Sequence, residues 1–176
     1  MKFFIYSLII FPLLTSAQEV QIGDLVNGGI VFYIDESGES GLVAATEDVS
    51  SYIWGCNKET LEGADGRTIG TGGSNTLDIV AGCKDSNTAA QVALNYESEG
   101  YNDWYLPSQD ELNKMYQNIG QGNALGLGNV GGFADISYWS STEYTSNLAW
   151  QLSFGFGSQS YNSKTGQNNV RAVRAF

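Results

Sequence analysis

The chain has 176 residues, with 8 Lys and Arg against 19 Asp and Glu, no histidine, two cysteines and a formal net charge of −11. That charge offers no basic patch to the phosphates of nucleic acid or to an anionic bilayer, and it excludes both as partners. Without histidine, Ser-His-Asp and Cys-His catalysis are out of reach, and zinc lacks its usual ligands.

Residues 1–17 read as a signal peptide. Lys2 supplies a positive start, Phe3 to Leu14 an apolar run, and Thr15-Ser16-Ala17 a small-residue cleavage site before Gln18. The run is too short to span a bilayer comfortably, and no cysteine stands at the cleavage site to take a lipid. The expectation is an exported protein, secreted, periplasmic or on the cell surface, with no membrane insertion after cleavage and one domain over 18–176.

Residues 18–27 form a lead-in. Two apolar runs at 28–35 and 41–46, separated by Asp35-Glu36-Ser37-Gly38-Glu39-Ser40, predict a hairpin. The polar, glycine-rich stretch 54–73 predicts a long loop pinned by Cys56, and Cys56 with Cys83 makes an even pair in an exported chain, the pattern of a structural disulfide. Helices are expected over 75–82, capped by Ser74 or Asn75, and over 88–96, where Ala89, Val92, Ala93 and Tyr96 share a face. Gly70-Thr71-Gly72-Gly73 lacks the Gly-Lys-Ser/Thr of a phosphate loop, so it predicts a tight turn and no nucleotide.

The stretch Tyr101-Asn102-Asp103-Trp104-Tyr105-Leu106-Pro107-Ser108-Gln109-Asp110-Glu111-Leu112 carries the clearest local signal. Pro107 stops a short extended segment, because it cannot donate a backbone hydrogen bond and forces its predecessor out of the helical region. Ser108 and Glu111 then form a capping box, and Leu112, Met115, Tyr116 and Ile119 give a helix over 108–119 its apolar face. Glycines crowd 120–132, which predicts an irregular surface loop, and 138–176 alternates short strands with Ser/Asn/Gly turns.

That motif occurs together with Gly28-Gly29-Ile30-Val31-Phe32-Tyr33-Ile34, Gly41-Leu42-Val43-Ala44-Ala45, Tyr138-Trp139-Ser140-Ser141-Thr142-Glu143, Ala149-Trp150, Phe154 and the closing Val170-Arg171-Ala172-Val173-Arg174-Ala175-Phe176. In this order the motifs resemble the secreted bacterial domain of unknown function at the C-terminus of the Legionella collagen-like adhesin, over roughly residues 26–176. The resemblance implies an α+β, C-type-lectin-like fold: two or three helices on a small, mostly antiparallel sheet, long loops, and paired first and last strands. It also implies that Trp104, Trp139 and Trp150 are core residues, and that late strands and loops carry a ligand surface.

Carboxylates are the only candidates for catalysis. Glu143, Asp103, Asp110 and Glu111 are available for a glycan hydrolase, but helix capping accounts for Asp110 and Glu111 and a turn for Asp103. Oxygen ligands for calcium are plentiful around Asp35, Glu36 and Glu39 and around Asn102, Asp103 and Glu143, yet neither group matches a calcium loop. The sugar-binding triplets of C-type lectins are missing or out of order, so no cofactor is expected. The remaining signal is Glu143, Tyr144, Asn147, Gln151, Gln159, Tyr161 and Asn162, a set of polar and aromatic residues late in the chain. Tyrosine with small polar residues is the composition of adaptable binding surfaces. The sequence therefore predicts a binding module for a glycan or surface protein, with a carboxylate-dependent hydrolase or a structural component of a surface assembly as the alternatives.

Overall fold

A computed structural model describes residues 19–176, so the expected leader at 1–17 lies outside the described residues. The architecture is α+β, with three helices on two mostly antiparallel sheets. The first sheet has the order β1 (Leu25–Val26), β2 (Gly29–Ile34), β3 (Gly41–Ala45) and β9 (Val173–Ala175). The second has the order β4 (Ser50–Ile53), β8 (Gln167–Val170), β5 (Ser137–Thr145), β6 (Leu148–Ser153) and β7 (Ser158–Ser163). Among the described residues, only the β5–β8 contact, through Tyr138 and Asn169, is parallel. The last strand does close the N-terminal sheet, but it pairs with β3 through Leu42 and Ala175 and not with β1. No described helix is long and apolar enough to cross a membrane.

The predicted hairpin is β2–β3, and its acidic turn is an ordinary one: Asp35 Oδ1 accepts from the amide (2.9 Å) and hydroxyl (2.5 Å) of Ser37. Those bonds hold the Asp35 carboxyl below its usual pKa. The loop after β4 leads to α1 (Gly72–Gly82), then to α2 (Ala89–Leu94) and α3 (Gln109–Ile119). The disulfide joins Cys56, in that loop, to Cys83 at the end of α1.

Helix α3 starts as its sequence dictates. The Ser108 amide donates to Glu111 Oε2 at 2.8 Å and the Ser108 hydroxyl accepts from the Glu111 amide. The same carboxylate also accepts from the amide of Gly70 at 2.7 Å and from that of Gly72, so one Glu111 holds the starts of two helices. Gly72 is required there, because a Cβ would sit 2.2 Å from Glu111 Oε2. Helix α1 thus begins at Gly72, three residues before the expected 75, and its N-cap is not the expected Ser74 or Asn75. Thr71 occupies the N-cap position without a side-chain cap, and Asn75 turns inward to donate to Gly66 O at 2.6 Å.

Two apolar clusters fill the interior. Val31, Val43, Trp54, Ile79, Trp104 and Trp139 form one with α1 and α2, while Phe32, Leu112, Met115, Phe133, Tyr138 and Phe154 form the other under α3. The buried indoles each find an acceptor, Trp54 on Ser140 O at 2.8 Å and Trp139 on Tyr52 O at 2.9 Å, as burial demands. The extended segment before Pro107 is held by one bridge, Tyr105 to Val173 of β9. The glycine-rich 120–132 stretch is irregular as expected, and it is tied down by Gly131 N to Ile119 O (2.8 Å) and Asn129 Oδ1 to the Phe133 amide (3.0 Å).

Candidate functional site

The β5–β6–β7 meander carries the late residues, and strand alternation sorts them by face. Trp150 of β6 is the register partner of Tyr161 of β7, so both rings stand on one face. Tyr144, near the end of β5, lies parallel to Tyr161, with centroids 4.6 Å apart and planes 14° apart. Trp150 meets both edge-on, at 5.2 Å from Tyr144 and 6.0 Å from Tyr161. Tyr144 and Tyr161 remain about half exposed, at 47 % and 51 %. Trp150 is half-buried and belongs to this surface trio, which corrects its expected place in the core.

Two residues from elsewhere complete the rim. The Arg67 guanidinium lies 4.9 Å from the Trp150 ring centroid. Its position is set by the backbone, since Arg67 O accepts from the Asp110 amide at the first turn of α3. Gln159, two residues before Tyr161 and on the same face, accepts at its Oε1 from Gln109 Nε2 at 2.5 Å. The Gln109 side of that bond is buried, so the amide nitrogen of exposed Gln159 is left to the surface.

The seven residues expected from sequence therefore do not form one patch. Tyr144, Tyr161 and Gln159 share the aromatic face. Gln151 and Asn162 pair with Ser160 and Ala149 on the opposite face, where Gln151 Oε1 accepts from Asn168 at 2.6 Å and Gln151 Nε2 donates to Ser160 at 3.0 Å. Asn147 is exposed at the β5–β6 turn, its carbonyl accepting from the Lys164 amide. Glu143 is inside: its carboxylate pairs with Lys164 Nζ at 2.5 Å and accepts from the Leu61 amide at 3.1 Å. Of the other carboxylates considered for chemistry, Asp103 is held by Arg174 through two bonds, at 2.6 and 2.9 Å, and Glu111 by the helix starts.

Sequence reasoning missed Arg67, Gln109 and Trp150. Arg67 sits in a glycine-rich loop with no periodicity to place it, Gln109 stands in the first turn of a helix with no local signal of its own, and Trp150 lies in a motif whose tryptophans the resemblance assigns to the core.

The sequence matches the family model described as the Lcl C-terminal domain over residues 44–174. The chain belongs to that family. None of the curated proteins matches it. As an Lcl C-terminal domain, the chain is a surface-associated domain of the adhesin-like kind, in keeping with an extracellular or surface setting. The match covers both motif tryptophans of the interior, Trp104 and Trp139, and the whole aromatic trio.

Proposed function

We propose that this domain is a ligand-binding module, engaging a glycan or a surface protein through Tyr144, Trp150 and Tyr161. The observation that carries the reading is the parallel stacking of two half-exposed tyrosines on each other, with half-buried Trp150 edge-on to both, across neighbouring strands. Rings fixed in this way lose little freedom when a ligand arrives, and they present flat apolar area next to polar edges. Arg67, Gln159 and the tyrosine hydroxyls supply the few directional groups that a ligand site needs around such a platform.

The test is a glycan-array screen of the purified protein, in calcium and again with chelator, followed by Tyr144→Ala with Tyr161→Ala. Binding that the double variant abolishes, with an unchanged melting temperature, supports the platform. Binding at full strength in the double variant removes this face from consideration. Binding lost with chelator alone transfers the site to a cation.

A further inference from the structure

Among the described residues, four cations lie over aromatic rings. Lys164 lies over Trp54 at 4.6 Å, Arg171 over Phe133 at 4.3 Å, Arg174 over Tyr101 at 4.0 Å and Arg67 over Trp150 at 4.9 Å. Three of them also hold a carboxylate: Lys164 pairs with Glu143, Arg171 with Asp48 and Arg174 with Asp103. Arg67 is the exception, since among the described residues it joins no ion pair. It is also the one of the four that is exposed, and the Trp150 ring under it is the one that meets both stacked tyrosines edge-on.

Resting on the platform reading above, we infer that Arg67 selects the ligand, and that the ligand is a saccharide bearing a single carboxylate. The Arg67 guanidinium lies over the Trp150 ring and joins no carboxylate among the described residues, so its N–H groups are open to a ligand carboxylate, which they match in bidentate fashion. The apolar face of a sugar ring would lie on Tyr161 or Tyr144 while its hydroxyls meet the Gln159 amide. The ligand would thus supply the carboxylate that the protein supplies at its other three cation–ring sites.

The surroundings limit the charge to one. The chain carries −11, and Asp65 and Asp110 flank Arg67, the first two residues away in sequence and the second through its backbone bond to Arg67 O. A polyanion would have one arginine to meet and this field to overcome. The inferred ligand is therefore a terminal or short carboxylated sugar, not a densely charged polymer.

The experiment measures binding of wild type, Arg67→Gln and Tyr161→Ala to two pairs of probes. Sialyllactose is set against lactose, and methyl galacturonide, the free acid, against its methyl ester, so that each pair differs in one carboxylate and the two pairs separate terminal sialic acids from uronic acids. The expected result is that one acid binds about tenfold tighter than its neutral partner, as a charge-assisted bidentate contact would give. Arg67→Gln should erase that preference, bringing each acid level with its neutral partner, and Tyr161→Ala should weaken acid and neutral probes alike. Equal binding of acid and neutral probes that still depends on Tyr161 overturns the role of Arg67 and leaves the platform standing. Binding that ignores Tyr161 overturns the platform itself. Failure of both acids to bind overturns the carboxylate inference, as does a wild type that prefers a sulfated polymer to both.

Discussion

Lys164 Nζ and Glu143 Oε1 are 2.5 Å apart in the interior, with the ammonium over the Trp54 ring and a second bond to Glu59 O at 2.8 Å. The lysine side chain is fully buried and the glutamate side chain 6 % exposed, so neither charge has water to fall back on. The pair ties β5 to the turn after β7 and to the loop that carries the disulfide. Removing one member leaves the other charge buried alone, at a cost of about 3–5 kcal/mol. Glu143→Gln and Lys164→Met should each lower the unfolding free energy measured in denaturant by that order. The Glu143→Gln, Lys164→Met double variant should recover part of the loss, because no unpaired charge remains. A Glu143→Gln protein as stable as wild type would show that the carboxylate is not structural, and would restore it as a candidate for chemistry.

The disulfide closes a 27-residue separation between Cys56 and Cys83, both of which are buried. In the chain-entropy description, closing a loop of that length stabilises the fold by about 3–4 kcal/mol. Its position adds a local consequence. Cys56 O lies 3.5 Å from Lys164 Nζ, and the Cys56 amide donates to Asp85 at 2.7 Å, so the bridge anchors the loop that also presents Arg67. Cys56→Ser with Cys83→Ser should lower the melting temperature and, in the same protein, weaken the ligand binding that depends on Arg67. Loss of stability with ligand affinity unchanged would show that the loop holds its shape without the bridge.

Where local chemistry decides structure, the sequence was a good guide. Ser108 and Glu111 made a capping box, the β2–β3 hairpin turned at its acidic stretch, and the even cysteines paired. Partnerships between distant residues were not legible in the same way. Nothing in the spacing of Lys164 and Glu143, or of Asp48 and Arg171, marks them as buried pairs, since a charged residue reads as a surface residue until the fold encloses it. The candidate site was half legible for the same reason. Composition singles out Tyr144 and Tyr161, but the face on which Tyr144 stands depends on β-bulges in β5 near Glu143, which shift the alternation. Arg67 arrives from a loop 77 positions before Tyr144, and only the tertiary fold brings it to Trp150.

Asp48 gathers three groups at one carboxylate. It accepts from Arg171 Nε at 2.7 Å, from the Tyr138 hydroxyl at 2.8 Å and from Asn169 Nδ2 at 2.9 Å. Burial, with the bond to Asp48 adding to it, pushes the Tyr138 phenol up to about 12. Spectrophotometric titration should therefore show this tyrosine ionising only as the fold is lost in alkali. Asp48→Ala removes the partner of a buried arginine, and should cost about 3–5 kcal/mol in denaturant unfolding. A fully native protein with every tyrosine ionised near pH 10 would refute the assignment.

Asp103 and Glu111 should impose opposite pH slopes on stability. The bonds from Arg174 hold the Asp103 carboxyl below its ordinary 3.8, so the native state favours the charged form. Its contribution is present above 3.8 and is lost as pH falls through the lowered value. Because the Asp103 side chain is 57 % exposed, solvent screening keeps that contribution to at most about 1 kcal/mol. Glu111 runs the other way: burial raises its carboxyl above 4.5 against the pull of the amides of Ser108, Gly70 and Gly72. The native state then holds the Glu111 proton more tightly than the unfolded chain does. That contribution is complete below 4.5 and fades as pH rises through the raised value. Denaturant midpoints of wild type, Asp103→Asn and Glu111→Gln, measured from pH 3 to 7, separate the two. The gap between wild type and Asp103→Asn should shrink on acidification, and the gap between wild type and Glu111→Gln should widen. Parallel curves for Glu111→Gln and wild type would mean that the three amides balance burial at the point where the two helices start, and a gap that shrinks on acidification would mean that they outweigh it.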